Sequence, residues 1–546
     1  MMVRKLFIVV LSLFTITGCQ LESHRDSFTA LDATRTPYGR YEKKVTYKIA
    51  HLTGNNNSYM PSGDTYENNA YTRYLLKKLN VQNKDIFEGY GDHYSEYVSH
   101  VILSKNLPDV MIVESLDDLE YLVENDLIED LTTAYKQCAS SRIKDIYASY
   151  DSSILDNVTF NGKIYAMPET NIDDGPNFFW VRDDWRKELN LQEPQTLDDV
   201  ENIVRAFMKY KGADGLMADT SLTTGTGFSS EYLLNLYFAA NNTYPKQWIE
   251  RNGTYQYDSI NEGAKTTLSH LHDLYKEGVL DKNFLLRTSN DIAREIIYGR
   301  CGAIFGPWWV PNNPLVDAIK KDSSAKWKPY LIKTNGNSTT YHSVIPSSKF
   351  VVVRKGYKHP EVIFKIISVI FDYLRYDHKN VEDVNRYYEI NVDPTARPIA
   401  INVDYQDALK RSYYNISKIL NGASSKNIMA IDVPYATACK NYLAKKKENS
   451  AENWAAYASR IEALGLLEKN NVVKVKSGYF STTATMNKKM WKLKELESDA
   501  YLQIISGSKP VSYFDDFVKQ WKEEGGDTIT QEVNNEIRNK EKASET

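Results

Sequence analysis

The sequence predicts an α/β protein of at least two lobes with a helix-rich C-terminal part. Three observations carry that reading. The chain has 546 residues, more than a single hydrophobic core sustains. Residues 45–131 alternate strand-like and helix-like segments, the pattern of a mostly parallel sheet with helices on its faces. After residue 355 strands become few and amphipathic helices take over. Composition agrees with a globular chain: 42% hydrophobic and 25% charged residues. A net charge of −4 provides no basic field to neutralise phosphates, so nucleic acid is excluded as the main partner. The 39 Tyr and 9 Trp suit a surface that stacks on and hydrogen-bonds polar ligands.

The chain opens on an export segment. Arg4 and Lys5 precede an apolar run at 6–16, too short to span a bilayer. The run ends in Ile16-Thr17-Gly18-Cys19, which resembles a bacterial lipobox. Small residues before the cysteine fit a peptidase cleft, and the thiol takes the lipid that holds the protein to the membrane. Residues 1–18 are therefore expected as signal peptide, Cys19 as the lipidation site, and 19–44 as a polar tether. Cys138, Cys301 and Cys439 show no metal-ligand spacing and read as core thiols, with one disulfide possible.

The elements follow in order. Val45–Leu52 is β-rich and alternating, and it runs into the polar turn 53–57. Ala70–Leu79 and 93–103 read as helices. Leu107-Pro108-Asp109 breaks the second, Val110–Val113 is a buried strand, and Leu116–Glu124 is helical. Asn161-Gly162 marks a hairpin. An acidic loop with Asp173 and Asp174 leads to the aromatic run 178–181, and 182–185 opens a helix. Thr196 caps the next helix, with Asp199 three residues on. A helix over 231–240 carries Tyr232, and 260–275 is helical up to Gly278. Residues 313–321 form a short helix, Phe350–Val353 a buried strand, and 358–374 a helix with Pro360 in its first turn. Helices include 454–464 and a pair over 513–537 broken at Gly525-Gly526.

The stretch 298–311 (YGRCGAIFGPWWVP) is the most pointed candidate site. A short strand stops at Gly306-Pro307, because proline cannot donate to a ladder. Trp308 and Trp309 leave the strand end together, where open α/β folds place ligand crevices. Two readings stay open on residue type: both rings fill core, or they form a platform for a sugar, which has apolar faces and a polar rim.

Several segments together resemble the extracellular solute-binding lipoproteins of bacterial ABC importers, in the sugar-binding group related to maltose-binding protein. They are the lipobox at Cys19, 107–110 (LPDV), 161–168 (NGKIYAMP), 180–185 (WVRDDW), 305–308 (FGPW), 358–361 (KHPE) and 514–534. The resemblance covers nearly the whole mature chain. It implies two α/β lobes, a hinge and an interlobe ligand cleft. Lobe 1 would comprise 45–170 and about 352–430; lobe 2 about 175–348 and 435–546. Crossings would lie near 168–179, 348–353 and 428–433. The matching ligand-binding positions are Trp308 or the adjacent Trp309, Glu114 and Asp117, Asp173 or Asp174, Tyr232, Asn55 and Asn57. Members of the group often carry a calcium-binding loop after the helix matching 196–210. Here only 212–215 and Asp219 remain, too few oxygens for a hard cation, so no metal is expected.

The resemblance implies capture of an oligosaccharide by lobe closure and delivery to the ABC permease subunits, by a monomer without cofactor or chemistry of its own. No Walker A, H-E-x-x-H or G-x-S-x-G motif occurs. A peptide or polyamine held over Trp308 by cation–π attraction is the alternative. A glycoside hydrolase, needing only two carboxylates across a cleft, is the remote one.

Overall fold

The structure, a computed structural model, describes residues 33–54, 60–150, 153–223, 232–378, 380–390, 392–444 and 450–544. Two α/β lobes organise it. The first is built on a five-stranded sheet ordered Val81–Gly89, Val45–Leu52, Val110–Val113, Phe350–Val353, Met167–Pro168. The first three strands are parallel, joined by the helices Ala70–Leu79 and Gly91–Ser104. Val110–Val113 is buried at every position because both faces of the sheet are covered. The mostly parallel expectation from 45–131 holds, and the sheet becomes mixed through one strand, Phe350–Val353. Phe350–Val353 arrives from the other lobe rather than by a helical crossover, and it pairs antiparallel with both neighbours. Val81–Gly89 has weak sequence signals, since as an edge strand it wets half its side chains.

The second lobe carries a three-stranded antiparallel sheet with the aromatic run Phe178–Arg182 at its centre, between Ala303–Gly306 and Trp327–Tyr330. Leu197–Lys211 starts on the expected reciprocal cap of Thr196 and Asp199, and Glu262–Glu277 stops at Gly278 in a left-handed conformation. The C-terminal helices Met486–Ser506, Tyr513–Trp521 and Asp527–Ser544 add to this lobe. The last two meet at Gly525, whose φ of 139° is open to glycine alone. Leu493, Ile504, Phe517, Trp521 and Ile529 have no solvent exposure there. Each such side chain is worth about 1.5–3 kcal/mol of burial.

The residues expected as a free tether are packed from Ala33 onward. Tyr38 and Tyr41 are buried and donate to Asp372 (2.8 Å) and Glu361 (2.7 Å). The buried Lys365 ammonium donates to the Thr36 carbonyl at 2.7 Å, and burial pulls its pKa down to about 8. Expected and observed elements differ in one further place: the helix carrying Tyr232 spans only Asn235–Ala240, and Tyr232 precedes it with a φ of +61°.

Three segments run side by side where the chain passes between the cores. Glu169 N–H donates to the Lys349 carbonyl (2.8 Å), Asn171 N–H to Pro346 (2.8 Å), Thr170 N–H to Asn402 (2.9 Å) and Asp173 N–H to Gln406 (3.0 Å). The first of these segments is 169–173 and the second 346–349. The third comes earlier than 428–433: buried side chains leave the first core at Tyr405 and join the second lobe at Leu409. Residues 408–444 and 450–467 pack on the second lobe because Leu409, Trp454 and Leu464 fill the core around Trp180.

Candidate functional site

A cleft of about 730 Å³ separates the lobes. Its first-lobe wall is the end of the central parallel strand, where open α/β sheets expose ligand-facing loops. Val110–Val113 stops at Glu114, and the Ser115 hydroxyl accepts from the N–H groups of Asp117 (3.1 Å) and Asp118 (3.3 Å), starting the helix Leu116–Glu124. That cap turns Glu114, Ser115 and Asp117 into the cleft. The Glu114 carboxylate is solvent-facing; the surrounding protein raises its pKa by desolvation, and the Lys349 ammonium opposes the shift.

The second-lobe wall comes from the hairpin starting at Trp248, the segment 477–482 and one face of Met486–Ser506. The strand Asn471–Val475 pairs parallel with Ser338–His342 beside the second crossing, which delivers the chain to the cleft. Gly478 N–H then donates to the Trp248 carbonyl at 2.8 Å. A Cβ on Gly478 would stand 1.8 Å from the Tyr255 ring, so this approach requires glycine. Trp248 rests on Tyr257 (ring centroids 5.4 Å), and Tyr257 stacks on the fully buried Trp521 (5.2 Å, 4° between planes). Trp491 is 63% exposed, the most open tryptophan among the described residues. Met486, Met490, Tyr479 and Phe480 complete the apolar part of the wall.

One contact bridges the walls. The Thr482 hydroxyl donates to Asp117 Oδ1 at 2.6 Å, and the Asn487 amide, oriented to satisfy both its ends, donates to the same carboxylate at 2.9 Å. Of the two lysines lining the cleft, Lys246 gives its Nζ protons to the carbonyls of Ser221 (3.0 Å) and Thr223 (2.7 Å). Burial lowers its pKa, with the Glu497 carboxylate acting the other way.

Of the residues expected at the site, Glu114 and Asp117 line this cleft. Trp308 does not. It is 7% exposed, its indole N–H donates to Asp174 at 2.9 Å, and the Arg460 guanidinium stands 4.5 Å from its ring centroid. Trp180 Nε1 donates to the Pro307 carbonyl (3.2 Å) and holds the turn inward. The platform expected at Trp308 is thus enclosed in the second lobe, and Trp309 is half-buried against the same core. Asp173 is held by Tyr341 (3.0 Å) and Lys474 (2.7 Å) near the crossing, and with Asp174 lines a separate cavity of about 40 Å³, the size for water rather than sugar. Tyr232 has no exposure. Asn55, Asn57 and Cys19 lie outside the described residues. In the segment after Leu197–Lys211, Asp214 pairs with Arg287 (3.5 Å) and Asp219 accepts from Ser289 (3.2 Å). Cys138, Cys301 and Cys439 are buried free thiols.

Sequence reasoning missed Trp248, Tyr479 and Trp491. For Trp491 a signal existed. Its helical neighbours at three and four residues are Asn487, Lys488, Lys494 and Glu495, so the indole sits on a polar face where no core can receive it.

The chain has the fold of two-lobed periplasmic solute-binding proteins. The alginate-binding protein AlgQ2 superposes with a TM-score of 0.63 at 16% identity, over 91% of this chain and 98% of that one. The ABC-transporter substrate-binding protein FusA of S. pneumoniae, solved with kestose, gives 0.61 at 14% identity over 92% and 100%. Among curated proteins, an uncharacterized protein of Niallia circulans is 24% identical over 277 residues, 50% of this chain and 99% of its own length. Lipoprotein LipO of Bacillus subtilis is 30% identical over 161 residues, 28% of this chain and 31% of LipO. The polygalacturonan/rhamnogalacturonan-binding protein YtcQ of the same species is 22% identical over 387 residues, 69% of this chain and 70% of YtcQ. No family model matches. Among the described residues no helix is long and apolar enough to cross a membrane.

Proposed function

We propose that the chain is the substrate-binding component of an ABC importer, capturing an extracellular oligosaccharide by lobe closure and delivering it to a permease. The observation that carries this reading is the interlobe cleft with an exposed tryptophan, a second tryptophan at its wall and a rim of hydroxyls and amides. Apolar ring faces bind sugar ring faces, while paired donor–acceptor groups bind sugar hydroxyls. The names of AlgQ2, FusA and YtcQ, each described as binding a saccharide or acting as a transporter's binding protein, support it. Trp491 takes the stacking role, and the buried Trp248 backs the wall beside it. The three adjacent crossing segments form the hinge, and Asp117 meets Thr482 on closure. Lipid on Cys19 keeps the protein at the outer face of the membrane, as a monomer. The chain performs no catalysis and carries no cofactor.

The polyamine alternative placed a cation over Trp308. Arg460 already occupies that position, which leaves the alternative without its carrier. A thermal-shift screen of the mature chain without Cys19, against glycans, peptides and polyamines, tests the reading. Oligosaccharides raise the melting temperature by mass action. Silence on every glycan together with a shift from a peptide or polyamine would discard it.

A further inference from the structure

Charge in the cleft is unevenly committed. Among the described residues, the ionic side chains that line it are Glu114 and Asp117 on the first lobe, and Lys246 and Lys494 on the second. The Lys246 ammonium is occupied by two backbone carbonyls, and Asp117 by Thr482 and Asn487. Lys349, just outside, is 3.5 Å from Glu169 and offsets carboxylate charge rather than adding a free cation. Among the described residues, what faces a ligand is therefore the Glu114 carboxylate at the end of the central strand and a single lysine, Lys494, on an exposed turn of the opposite helix. The remaining polar lining is of serine, threonine, asparagine and glutamine, which suits hydroxyls.

A polyuronate brings one carboxylate per sugar residue. Closing the lobes removes the water around those charges, and each carboxylate then needs a cation or several donors. One lysine cannot serve a chain of them, and Glu114 repels whichever lies nearest the first lobe. We infer that this cleft selects uncharged oligosaccharides and rejects oligouronates, with Glu114 as the residue that sets the choice. The inference rests on the sugar-binding reading and narrows it. It also separates this chain from the polygalacturonan-binding and alginate-binding proteins it is similar to.

The test pairs ligands that differ in charge alone. Isothermal titration of the full mature chain would compare short oligogalacturonates and oligoalginates with their carboxyl-reduced forms, alongside neutral fructo-, xylo- and galacto-oligosaccharides. Neutral or reduced ligands should bind at least tenfold more tightly than any uronate. In Glu114→Gln the ratio of uronate to neutral affinity should rise at least tenfold. Any residual wild-type uronate binding should strengthen between about 20 and about 500 mM salt, because salt screens repulsion. Uronates binding as tightly as their reduced forms, or a ratio that Glu114→Gln leaves in place, would overturn the inference while sparing the sugar reading. Failure of every glycan, charged or reduced, with a peptide or polyamine binding instead, would remove the sugar reading and the inference with it.

Discussion

Trp308 and Trp491 carry the same side chain to opposite fates. Trp308 ends a buried strand and points into the second lobe, where Asp174 takes its N–H and Arg460 lies near its ring. Trp491 stands on the outer face of a helix whose inner face, through Leu493, Glu497 and Tyr501, is buried. The turn that looked like a platform is a piece of core, and the helix that looked like scaffold presents the open ring. A tryptophan becomes a binding surface through what its neighbours leave uncovered.

Removing each ring tests that contrast most strongly. Trp308→Ala should destabilise the protein by about 3–5 kcal/mol, since a large buried side chain leaves a cavity and its hydrogen bond to Asp174 is lost. Trp491→Ala should stay within about 0.5 kcal/mol of wild type. Urea unfolding of both decides, and equal losses would erase the distinction. Trp491→Ala should instead weaken glycan binding at least fivefold, about 1 kcal/mol, read by titration with whichever oligosaccharide the thermal screen identifies. If affinity holds in Trp491→Ala and falls in a folded Trp308→Phe, the roles are reversed.

A smaller effect is expected at the bridge. Thr482→Val, combined with Asn487→Leu, deletes both donors to Asp117 and should cost about 1 kcal/mol or more of closed-state stability. Small-angle scattering should then report a larger radius of gyration without ligand; an identical radius would show that the contact does not hold the lobes together. The smallest effect concerns a charge remote from both rings. His270 lies 2.6 Å from Glu201, whose hydrogen bond raises its pKa above 6.5. The folded state therefore holds that proton more tightly than the unfolded one. The gain is complete below pH 6.5 and fades as pH rises through the folded pKa. His270→Gln should flatten the melting temperature between about pH 6 and 8 while leaving glycan affinity alone. A melting profile that keeps its slope would remove His270 from the account.

The fold was largely legible because its signals are local. Val110–Val113 reads as buried from four apolar residues, Thr196 and Asp199 announce a helix start, and Gly278 announces a stop. The direction of Phe350–Val353 was not legible, since antiparallel entry follows from the path through the other lobe. Nor was the burial of Tyr38 and Tyr41, whose partners Asp372 and Glu361 are more than 300 residues away. The site divides in the same way. Glu114 and Asp117 were legible through the family resemblance, and they lie where a strand ends and a helix is capped. Trp248 and Tyr479 depend on a C-terminal strand pairing with Ser338–His342, a contact that no local pattern encodes.

The column Trp248–Tyr257–Trp521 has a consequence for tolerance of different ligands. Trp248 is braced before any ligand arrives, so binding freezes little additional freedom there. Trp491 has no such brace and must give up rotamer freedom to engage. A fixed wall beside an adjustable ring would seat one sugar unit in a constant pose and accommodate variation in the next, so that oligomers of different length share a single point of reference.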